Sequence, residues 1–400
     1  MSERNALLVM PALTASAGTA GSFVLTRKFV DGAAEYARRW PGPVVVWIEQ
    51  VQRADSNLDH IEVDPDDLPF ALRWLPADQS QLDAVLDDAA VVLATLVDKH
   101  LPLVNSCARK RVPLAYISEY SVLTRRQIIR AETSNPILRW RRERWTTQLE
   151  RRYEQAVKSA AGVQCNGTPT FEAYRALSRN PLLYFDTRVR ADQLADQGTI
   201  DQRTREMLAG GPLRLAFSGR LIPMKGANHL PLIAAELKKR GVPFTMEICG
   251  GGILEPNLRS SIQRLGLGDQ VRLRGVLDFE TELMPLIARH VDLFICPHPQ
   301  GDPSCTYLET MSCGTPITGY DNEALRGLTD LAKVGWCTAL GKPGDLAGQI
   351  ARLHHNRQEL VSDAIRSLRF AAQHTFETTM KARVDHLLSC AAPRKVPVSA

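Results

Sequence analysis

The sequence has no apolar run that approaches the ~18 residues needed to span a membrane. No positively charged leader with an apolar core precedes a cleavage site. Neither sign of charge is in large excess, since 49 basic and 44 acidic residues leave a formal net charge of +5. We therefore expect a soluble protein, and nothing in the charge balance calls for a nucleic acid as a partner.

Cysteine and histidine patterns that are typical of metal sites are also missing. The eight cysteines form no CxxC pair, and the nine histidines form no HExxH pattern. Several cysteines lie inside apolar, strand-like runs, which is typical of buried, reduced thiols. We therefore expect a reducing compartment, the cytoplasm, and no metal site.

What the chain does have is a repeated alternation of short apolar runs with longer amphipathic stretches, in two series. The first series of runs is Ala6–Met10, Val44–Ile48, Val91–Thr95, Leu114–Ser118, Gly162–Cys165 and Leu182–Phe185. After a polar segment at 187–212, the second series is Leu213–Ser218, Phe244–Cys249, Val271–Arg274, Val291–Pro297, Thr315–Tyr320 and Gly335–Leu340. Alternation of this kind predicts an α/β fold built from parallel sheets.

The two series predict two Rossmann-like, doubly wound domains that face a central cleft. We place the first domain at 1–190 and the second at 205–365. A helical segment at 366–392 either caps the second domain or crosses back to the first. Ligands bind at the carboxyl ends of the strands in such folds, so we expect them in the cleft.

Two cations follow the first strand of the second domain. Arg220 comes directly after Gly219 at the strand end, and Lys225 precedes a predicted helix at Asn228–Arg240. A helix start together with two cations suits a diphosphate, and we favour that role. The alternative is a pair of surface cations in an ordinary loop.

A second polar stretch contains two acids and a short predicted helix at 303–313. Asp302 followed by Pro303 is typical of a helix cap and first residue. Asp302 and Glu309 would then lie two turns apart on one face, with Thr306 between them. Glu309 is suited to accept hydrogen bonds from ribose hydroxyls, or else is an exposed helix acid. Asp302 is either the cap or a sugar ligand.

Glycines follow two further predicted strands. Gly251 lies in a run of three glycines after Phe244–Cys249, where the backbone can approach a ligand closely. Gly18 and Gly21 follow the first strand and could direct backbone amides toward a phosphate. They lack the full GxGxxG spacing, so we do not predict a dinucleotide site there.

These motifs together resemble glycosyltransferase family 4, retaining enzymes of the GT-B fold. The residues that carry the resemblance are Gly219-Arg220-Leu-Ile-Pro-Met-Lys225-Gly226, Gly250-Gly-Gly, Pro297 and Leu308-Glu309-Thr-Met-Ser-Cys-Gly314-Thr-Pro316. It extends over about residues 213–345 and is faint before Asp186. It implies transfer of a sugar from a nucleotide-diphosphate sugar to a hydroxyl of a glycan or lipid-linked acceptor, with retention, no cofactor and no essential metal.

The resemblance also implies roles for individual residues. Arg220 and Lys225 would bind the donor diphosphate, and Glu309 would bind the nucleotide ribose. The other donor-side positions it implies are the backbone of Pro303, Ser304 and Cys305 for sugar and phosphate, and Arg274 and Val276 near the base. With Asp302, the two cations make up the expected catalytic set, and Gly219, Gly251 and Thr306 complete the expected donor site.

The chain departs from the family pattern at two places. The family usually has two glutamates separated by seven residues, and the first of these positions is Gly301 here. The adjacent Asp302 is the candidate substitute. A histidine often follows a strand of the first domain near the cleft, where this chain has Glu119, which we take as an acceptor-side candidate.

The Asp-x-Asp pattern at Asp64 and Asp66 does not indicate a binding site in its setting. Some metal-dependent transferases use such a pattern, but Pro65 and Pro69 flank it here. We therefore interpret it as a solvated turn.

The segment 125–158 is strongly basic and contains two tryptophans. Its ten basic residues are Arg125, Arg126, Arg130, Arg139, Arg141, Arg142, Arg144, Arg151, Arg152 and Lys158, against four glutamates. A helix of this kind can lie on the anionic inner face of a membrane, which suits a lipid-linked acceptor. The alternative is a solvated helix with Trp140 and Trp145 packed inward.

Two other functions remain open at this point. Because Gly301 stands where an acid is expected, the chain could be a non-catalytic nucleotide-sugar binding protein of the same fold. A sugar-nucleotide epimerase has a similar two-domain shape, but the spacing of Arg220 and Lys225 argues against it.

Overall fold

A computed structural model describes residues 4–52, 60–76 and 79–392. In these residues the chain forms two α/β units, each built around a largely parallel sheet. The predicted α/β architecture of two parallel-sheet domains is therefore confirmed. All eight cysteines are free thiols, and most of them are buried.

The first unit contains ten strands and six helices among the described residues. The strands are β1 (Ala6–Met10), β2 (Thr14–Ala17), β3 (Phe23–Thr26), β4 (Val44–Val51), β5 (His60–Val63), β6 (Ala71–Trp74), β7 (Ala89–Thr95), β8 (Leu114–Ser118), β9 (Gly162–Asn166) and β10 (Pro181–Tyr184). The helices are α1 (Arg27–Arg39), α2 (Gln79–Val85), α3 (Leu103–Lys110), α4 (Val122–Glu132), α5 (Pro136–Ser159) and α6 (Gly167–Tyr174).

The strands of the first unit are ordered β10-β9-β8-β7-β1-β4-β2-β3-β5, and β6 also pairs with β4. Only the β2–β3 and β3–β5 pairs are antiparallel among the described strands. Leu8 and Met10 of β1 are buried on one face of the sheet, whereas Leu7 and Val9 are buried on the other. Both faces are covered, which is why the strands are continuous apolar runs and not alternating ones.

The second unit begins with a helix and contains six strands in the part described. The helices are α7 (Gln197–Leu208), α8 (Leu230–Lys239), α9 (Glu255–Arg264), α10 (Met284–His290), α11 (Thr306–Ser312), α12 (Glu323–Ala332), α13 (Pro343–His355) and α14 (Arg357–Ala372). The strands are β11 (Leu213–Ser218), β12 (Phe244–Cys249), β13 (Val271–Gly275), β14 (Leu293–Cys296), β15 (Ile317–Tyr320) and β16 (Trp336–Thr338).

The second sheet is entirely parallel and is ordered β13-β12-β11-β14-β15-β16. The strand order therefore reverses between β11 and β14. In doubly wound folds this reversal opens a crevice at the carboxyl ends of the two strands, where ligands bind. The loops that follow β11 and β14 contain Arg220 and Lys225 in the first case and Asp302 in the second.

The polar segment 187–212 is not a simple linker. It contains α7, whose Arg203 is buried and donates to the carbonyl oxygens of Ala288, at 2.9 Å, and Cys313, at 3.0 Å. Because this buried guanidinium holds α7 on the second unit, that unit starts before the predicted position 205.

The predicted helix at 366–392 is two separate helices. Its first part lies in α14, where Ala371 is buried in the second unit. The second part is α15 (Phe376–Ala391), whose Met380, Val384 and Leu387 are buried in the core of the first unit. The chain thus crosses back, and α15 fastens the two units together. Among the described residues, no helix combines the length and apolar character that a membrane crossing requires.

Candidate functional site

Lys225 lies at the end of a one-turn 3-10 helix, Pro223–Lys225, in the loop after β11. Gly226 follows it with φ +67°, and a Cβ there would lie 1.8 Å from the carbonyl oxygen of Pro297. Only glycine fits this close approach. The two loops at the strand-order reversal are consequently held together, and the buried Lys225 side chain lies between them.

Lys225 and Asp302 form an ion pair across the reversal point. The Lys225 ammonium also donates to the Ser304 hydroxyl at 3.2 Å. Burial opposes ionisation of Asp302, but the attraction of Lys225, helped by Arg220, prevails and lowers the pKa of Asp302. Asp302 is therefore ionised and fixed at the mouth of the crevice.

The predicted helix cap at Asp302 is wrong. The short helix α11 begins at Thr306, its cap residue is Cys305, and no side chain caps it. Asp302 lies before the helix, so it does not share a helical face with Glu309. Asp302 is instead the counter-charge of the buried Lys225 ammonium. A buried charge without a partner costs more free energy than an uncapped helix, and the ion pair therefore takes precedence over the cap.

Arg220 lies on the same side of the crevice as Lys225 and is exposed to solvent. Its guanidinium makes no hydrogen bond or ion pair within the part of the chain that the structure describes. It is close enough to influence both Asp302 and Tyr120, and its positive charge opposes the rise that burial gives to the pKa of Tyr120. Arg220 is thus available to a ligand.

Glu309 is buried on α11 and is paired with a residue that the sequence did not indicate. Arg188 donates from Nε to Glu309 Oε1 at 3.0 Å. The same guanidinium lies 3.6 Å from the centroid of the Phe279 ring. One carboxylate oxygen of Glu309 is thereby held in place, and Phe279 offers an aromatic face nearby.

Lys28 of the first unit contacts the loop that precedes α11 in the second unit. It stands at the first turn of α1, forms a 2.5 Å ion pair with Asp186 and donates to the Cys305 sulfur at 3.0 Å. Burial would lower the pKa of Lys28, but Asp186 and Cys305 together raise it. A fixed positive charge therefore faces the predicted backbone site at Ser304 and Cys305, and sequence reasoning missed it.

Glu119 lies on the first-unit side of the same cleft. It accepts a 2.8 Å hydrogen bond from the Asn166 amide. Burial, aided by repulsion from Asp186, raises the pKa of Glu119. Beside it, a narrow crevice between the units is lined by Asn166 and Asp186 from the first unit and by Ser304 and Tyr307 from the second.

Gly301, which stands where the acid is expected, lies at a contact between the two units. Its carbonyl oxygen accepts from the Thr124 hydroxyl at 3.1 Å, and its amide donates to Gln127 Oε1 at 3.1 Å. Glu323, at the start of α12, accepts from the Ser121 hydroxyl at 2.5 Å. A Cβ at Gly301 would lie 2.8 Å from Thr124 Oγ1 and 3.2 Å from Glu323 Cβ, so the contact requires glycine.

We expect that restoring the acid, with Gly301→Glu, lowers the melting temperature and does not raise transfer activity. The new side chain would push α4 and α12 apart, because the space at Gly301 is filled. The matched control is Gly344→Glu on α13, where a Cβ meets open space. Thermal unfolding of both variants checks this. Wild-type stability together with faster transfer for Gly301→Glu would contradict it.

The glycine run after β12 lies against the predicted base site. The Gly250 amide donates to the Gly275 carbonyl oxygen at 2.6 Å, and a Cβ at Gly251 would lie 3.2 Å from Val276 Cγ2. Val276 is exposed beside this loop. Arg274 is instead turned to Glu247 in a 3.1 Å ion pair on the sheet. The structure thus brings Gly251 and Val276 together and engages Arg274 elsewhere.

The loop from Gly18 to Gly21 is used within the first unit. The Gly18 amide donates to the Ser22 carbonyl oxygen at 2.8 Å, and the Thr19 amide donates to Glu62 Oε1 at 2.6 Å. The Thr19 amide is thus directed at a carboxylate of β5 and the Gly18 amide at a carbonyl oxygen of the same loop, and neither is directed at the second unit. In this conformation the Gly18 amide is therefore not available for the predicted phosphate contact, and Gly21 lies at the end of the one-turn 3-10 helix Thr19–Gly21.

The Asp-x-Asp pattern forms a one-turn 3-10 helix at Pro65–Asp67 with exposed acids, and Asp64 accepts from the Asp66 amide at 3.0 Å. It is a solvated turn, as predicted. In the ranges that the structure describes, no group of three or more His, Cys, Asp or Glu side chains is placed to hold a metal ion.

With this geometry in place, comparison with solved structures identifies the fold. The chain is similar to Anabaena Alr3699/HepE solved in complex with UDP, with a TM-score of 0.68, 16% identity, and coverage of 96% of this chain and 99% of that one. It is also similar to the lipopolysaccharide outer core galactosyltransferase WaaB in its apo form, with a TM-score of 0.63, 12% identity, and coverage of 96% and 99%. The fold is the GT-B fold of glycosyltransferases.

Sequence comparison finds similarity to a family model in the second unit. Residues 200–368 match the model of the family Glycosyl transferases group 1. The putative colanic acid biosynthesis glycosyltransferase WcaL of Salmonella typhimurium is 26% identical over 161 residues, 38% of this chain and 39% of that protein. The D-inositol 3-phosphate glycosyltransferase of Nocardiopsis dassonvillei is 26% identical over 212 residues, 50% and 48%. The chain thus aligns with less than half the length of these relatives.

Proposed function

We propose that the chain is a retaining glycosyltransferase of family 4 that acts in the cytoplasm. It moves a sugar from a nucleotide-diphosphate sugar to a hydroxyl of a polysaccharide or lipid-linked glycan intermediate. The observation that carries this proposal is the meeting of Arg220, Lys225 and the loop from Asp302 to Cys305 at the strand-order reversal, with Glu309 at the other end of that loop.

The cations act on the leaving group. Breaking the bond between the anomeric carbon and the diphosphate leaves negative charge on the departing oxygen, and fixed positive charges lower the energy of that transition state. Lys225 is already fixed by Asp302 and Ser304, and Arg220 is free to close over the diphosphate. The acceptor hydroxyl attacks from the same face as the departing diphosphate and gives its proton to the departing oxygen, so that the anomeric configuration is unchanged.

Glu309 holds the ribose. Its carboxylate is buried, and Arg188 occupies only one of its oxygens, so the other can accept from the ribose hydroxyls. Val276 and the glycine run around Gly251 offer an apolar surface and a close backbone for the base. Glu119 lies across the cleft and is placed to meet the acceptor or the transferred sugar.

The relatives and neighbours support the nature of donor and acceptor. Anabaena Alr3699/HepE has been solved with UDP and with UDP-glucose, which supports a nucleotide-sugar donor. WcaL is named for colanic acid biosynthesis and AmsK of Erwinia amylovora for amylovoran biosynthesis, which supports a polysaccharide pathway. The lipid-linked acceptor would place the protein at the inner face of the membrane.

A thermal-shift screen against UDP, GDP, ADP and their sugars tests the donor site. A ligand that binds only the folded state raises the melting temperature, and one nucleotide series should do so. Nucleotides with the other bases should give a smaller shift at the same concentration. No shift with any nucleoside diphosphate at millimolar concentration would contradict the proposal.

We expect that chelation leaves transfer intact. Arg220 and Lys225 already provide two positive charges for the diphosphate, so the reaction should not depend on a divalent ion. Initial rates should agree within about twofold with excess EDTA, Mg²⁺ or Mn²⁺. Activity that EDTA abolishes and Mg²⁺ or Mn²⁺ restores would overturn this part of the proposal.

The second candidate is a non-catalytic nucleotide-sugar binding protein, which the closed contact at Gly301 favours. The two functions differ in turnover. A glycosyltransferase transfers sugar to an acceptor, or slowly hydrolyses its donor when no acceptor is present. Tight nucleotide binding with neither reaction across a wide acceptor panel would select the binding protein.

A further inference from the structure

The first ten residues of α5 stand away from the body of the first unit. α4 and α5 pack against each other as a hairpin, and the first buried residue of α5 is Thr146. From there Leu149, Tyr153 and Val157 continue the buried face at helical spacing. The part before Thr146 therefore has no buried residue: Arg139 and Glu143 are half-buried, and its other residues are exposed.

The outward side of this projecting part carries a continuous stripe at helical spacing. Its members follow one another at i, i+3, i+4, i+7 and i+8, and we call them the stripe: Ile137, Trp140, Arg141, Arg144 and Trp145. The exposed fractions are 72% for Ile137, 62% for Trp140 and 53% for Trp145. The predicted alternative, in which the tryptophans pack inward, is wrong, since the inward positions are taken by Thr146 and Leu149.

The charge around the stripe is of one sign. Arg141 and Arg144 lie on the stripe itself, and the Arg144 guanidinium lies 5.8 Å from the Trp140 ring centroid. The nearest acid on the helix, Glu143, faces away from the stripe and is bound by Arg130 at 2.9 Å. The outward surface thus presents large apolar groups and uncompensated guanidinium groups side by side.

We propose that the stripe docks the protein on the surface of an anionic lipid bilayer. Entry of tryptophan and isoleucine into the boundary between headgroups and acyl chains lowers the free energy of the bound state. Pairing of arginine with lipid phosphates at the same depth lowers it further. A patch that only bound a soluble acidic polymer would need the arginines but would not need three exposed large apolar groups between them. A bilayer surface makes favourable contacts with both the apolar groups and the arginines.

The hairpin links this surface to the cleft. α4 begins after its cap residue Ser121, and Thr124 lies in its first turn. Ser121 donates to Glu323 and Thr124 donates to the Gly301 carbonyl oxygen, so this end of α4 contacts the second unit. The eleven residues of α4 span roughly 16 Å. The stripe and the contact with the second unit are therefore at opposite ends of α4. The docking surface itself does not depend on the proposed function.

Co-sedimentation with lipid vesicles tests the proposal with the full chain and no nucleotide. The probes are vesicles of phosphatidylcholine alone and vesicles in which about a third of the lipid is phosphatidylglycerol. We expect binding to the anionic vesicles, at least about tenfold weaker binding to the neutral ones, and a blue shift of tryptophan fluorescence only with the former. The proposal would be overturned if the pellet contained as much protein without vesicles as with them, or if the protein bound to neither kind of vesicle.

Two double variants separate the contributions. Trp140→Ser/Trp145→Ser and Arg141→Glu/Arg144→Glu should each weaken binding to anionic vesicles at least about tenfold, and the first should also lose the fluorescence shift. The controls make the same changes elsewhere, with Leu232→Ser/Leu331→Ser for exposed apolar residues and Lys239→Glu/Arg264→Glu for charge. Variants that bind like the wild type, or a tryptophan pair that matters less than its control, would overturn it. A wild-type protein that binds a soluble polyanion but does not bind the anionic vesicles would assign the stripe to a soluble partner instead.

Discussion

Replacing Lys225 by alanine lowers kcat/KM for the donor by at least about tenfold, or ~1.4 kcal/mol of transition-state stabilisation. Two effects act in the same direction. The variant loses the ammonium that faces the diphosphate, and it leaves the ionised Asp302 without its partner at the point where the diphosphate must enter. Donor affinity should therefore fall together with turnover.

Calorimetric titration and initial rates measure this effect, with whichever of UDP, GDP and ADP most stabilises the wild-type protein. Lys239→Ala is the matched control, because Lys239 is an exposed lysine on α8 of the same unit. Adding Asp302→Asn to Lys225→Ala should recover part of the lost affinity, since it removes the uncompensated charge. Kinetics unchanged from the wild type in a folded Lys225→Ala protein would remove Lys225 from the site.

Replacing Glu309 by alanine also lowers nucleotide affinity by at least about tenfold. Glu309 is the buried carboxylate that we assign to the ribose hydroxyls, and its loss removes those hydrogen bonds and releases Arg188. Glu309→Gln should fall between the wild type and Glu309→Ala, because the amide keeps one acceptor. The control is Glu172→Ala on the exposed side of α6.

The ribose role has a test of its own. If Glu309 holds the ribose hydroxyls, a 2′,3′-dideoxynucleoside diphosphate should bind the wild type and Glu309→Ala with equal affinity. The ordinary nucleotide should still distinguish them. An equal loss for both nucleotides in Glu309→Ala would show that the carboxylate acts through folding or through Arg188, and not through the ribose.

The long parallel strands are predictable from the sequence because they are buried on both faces and so are continuous apolar runs. β11 and β12 have the predicted bounds. The short strands β2, β3 and β5 are not among the predicted ones. Each has only four residues. β2 and β3 are neighbours in the sequence, but they join the sheet through distant partners, β2 through β4 and β3 through β5. Local pattern carries too little information for such strands.

The candidate site is predictable only where local motifs define it. Lys225 and Glu309 lie in such motifs, and the structure places both at the cleft. The nearest neighbours of Asp302 allow a helix cap, whereas Lys225, 77 positions away, decides its role. Arg188 and Lys28 reach the site from other parts of the chain, and no local pattern distinguishes them from the other basic residues.

A crystal structure of the protein with its preferred nucleoside diphosphate tests the central claim most directly. We predict diphosphate oxygens within hydrogen-bonding distance of Arg220 and Lys225, and ribose hydroxyls on Glu309. A nucleotide bound with its diphosphate away from both cations, or with its ribose turned from Glu309, would contradict the account.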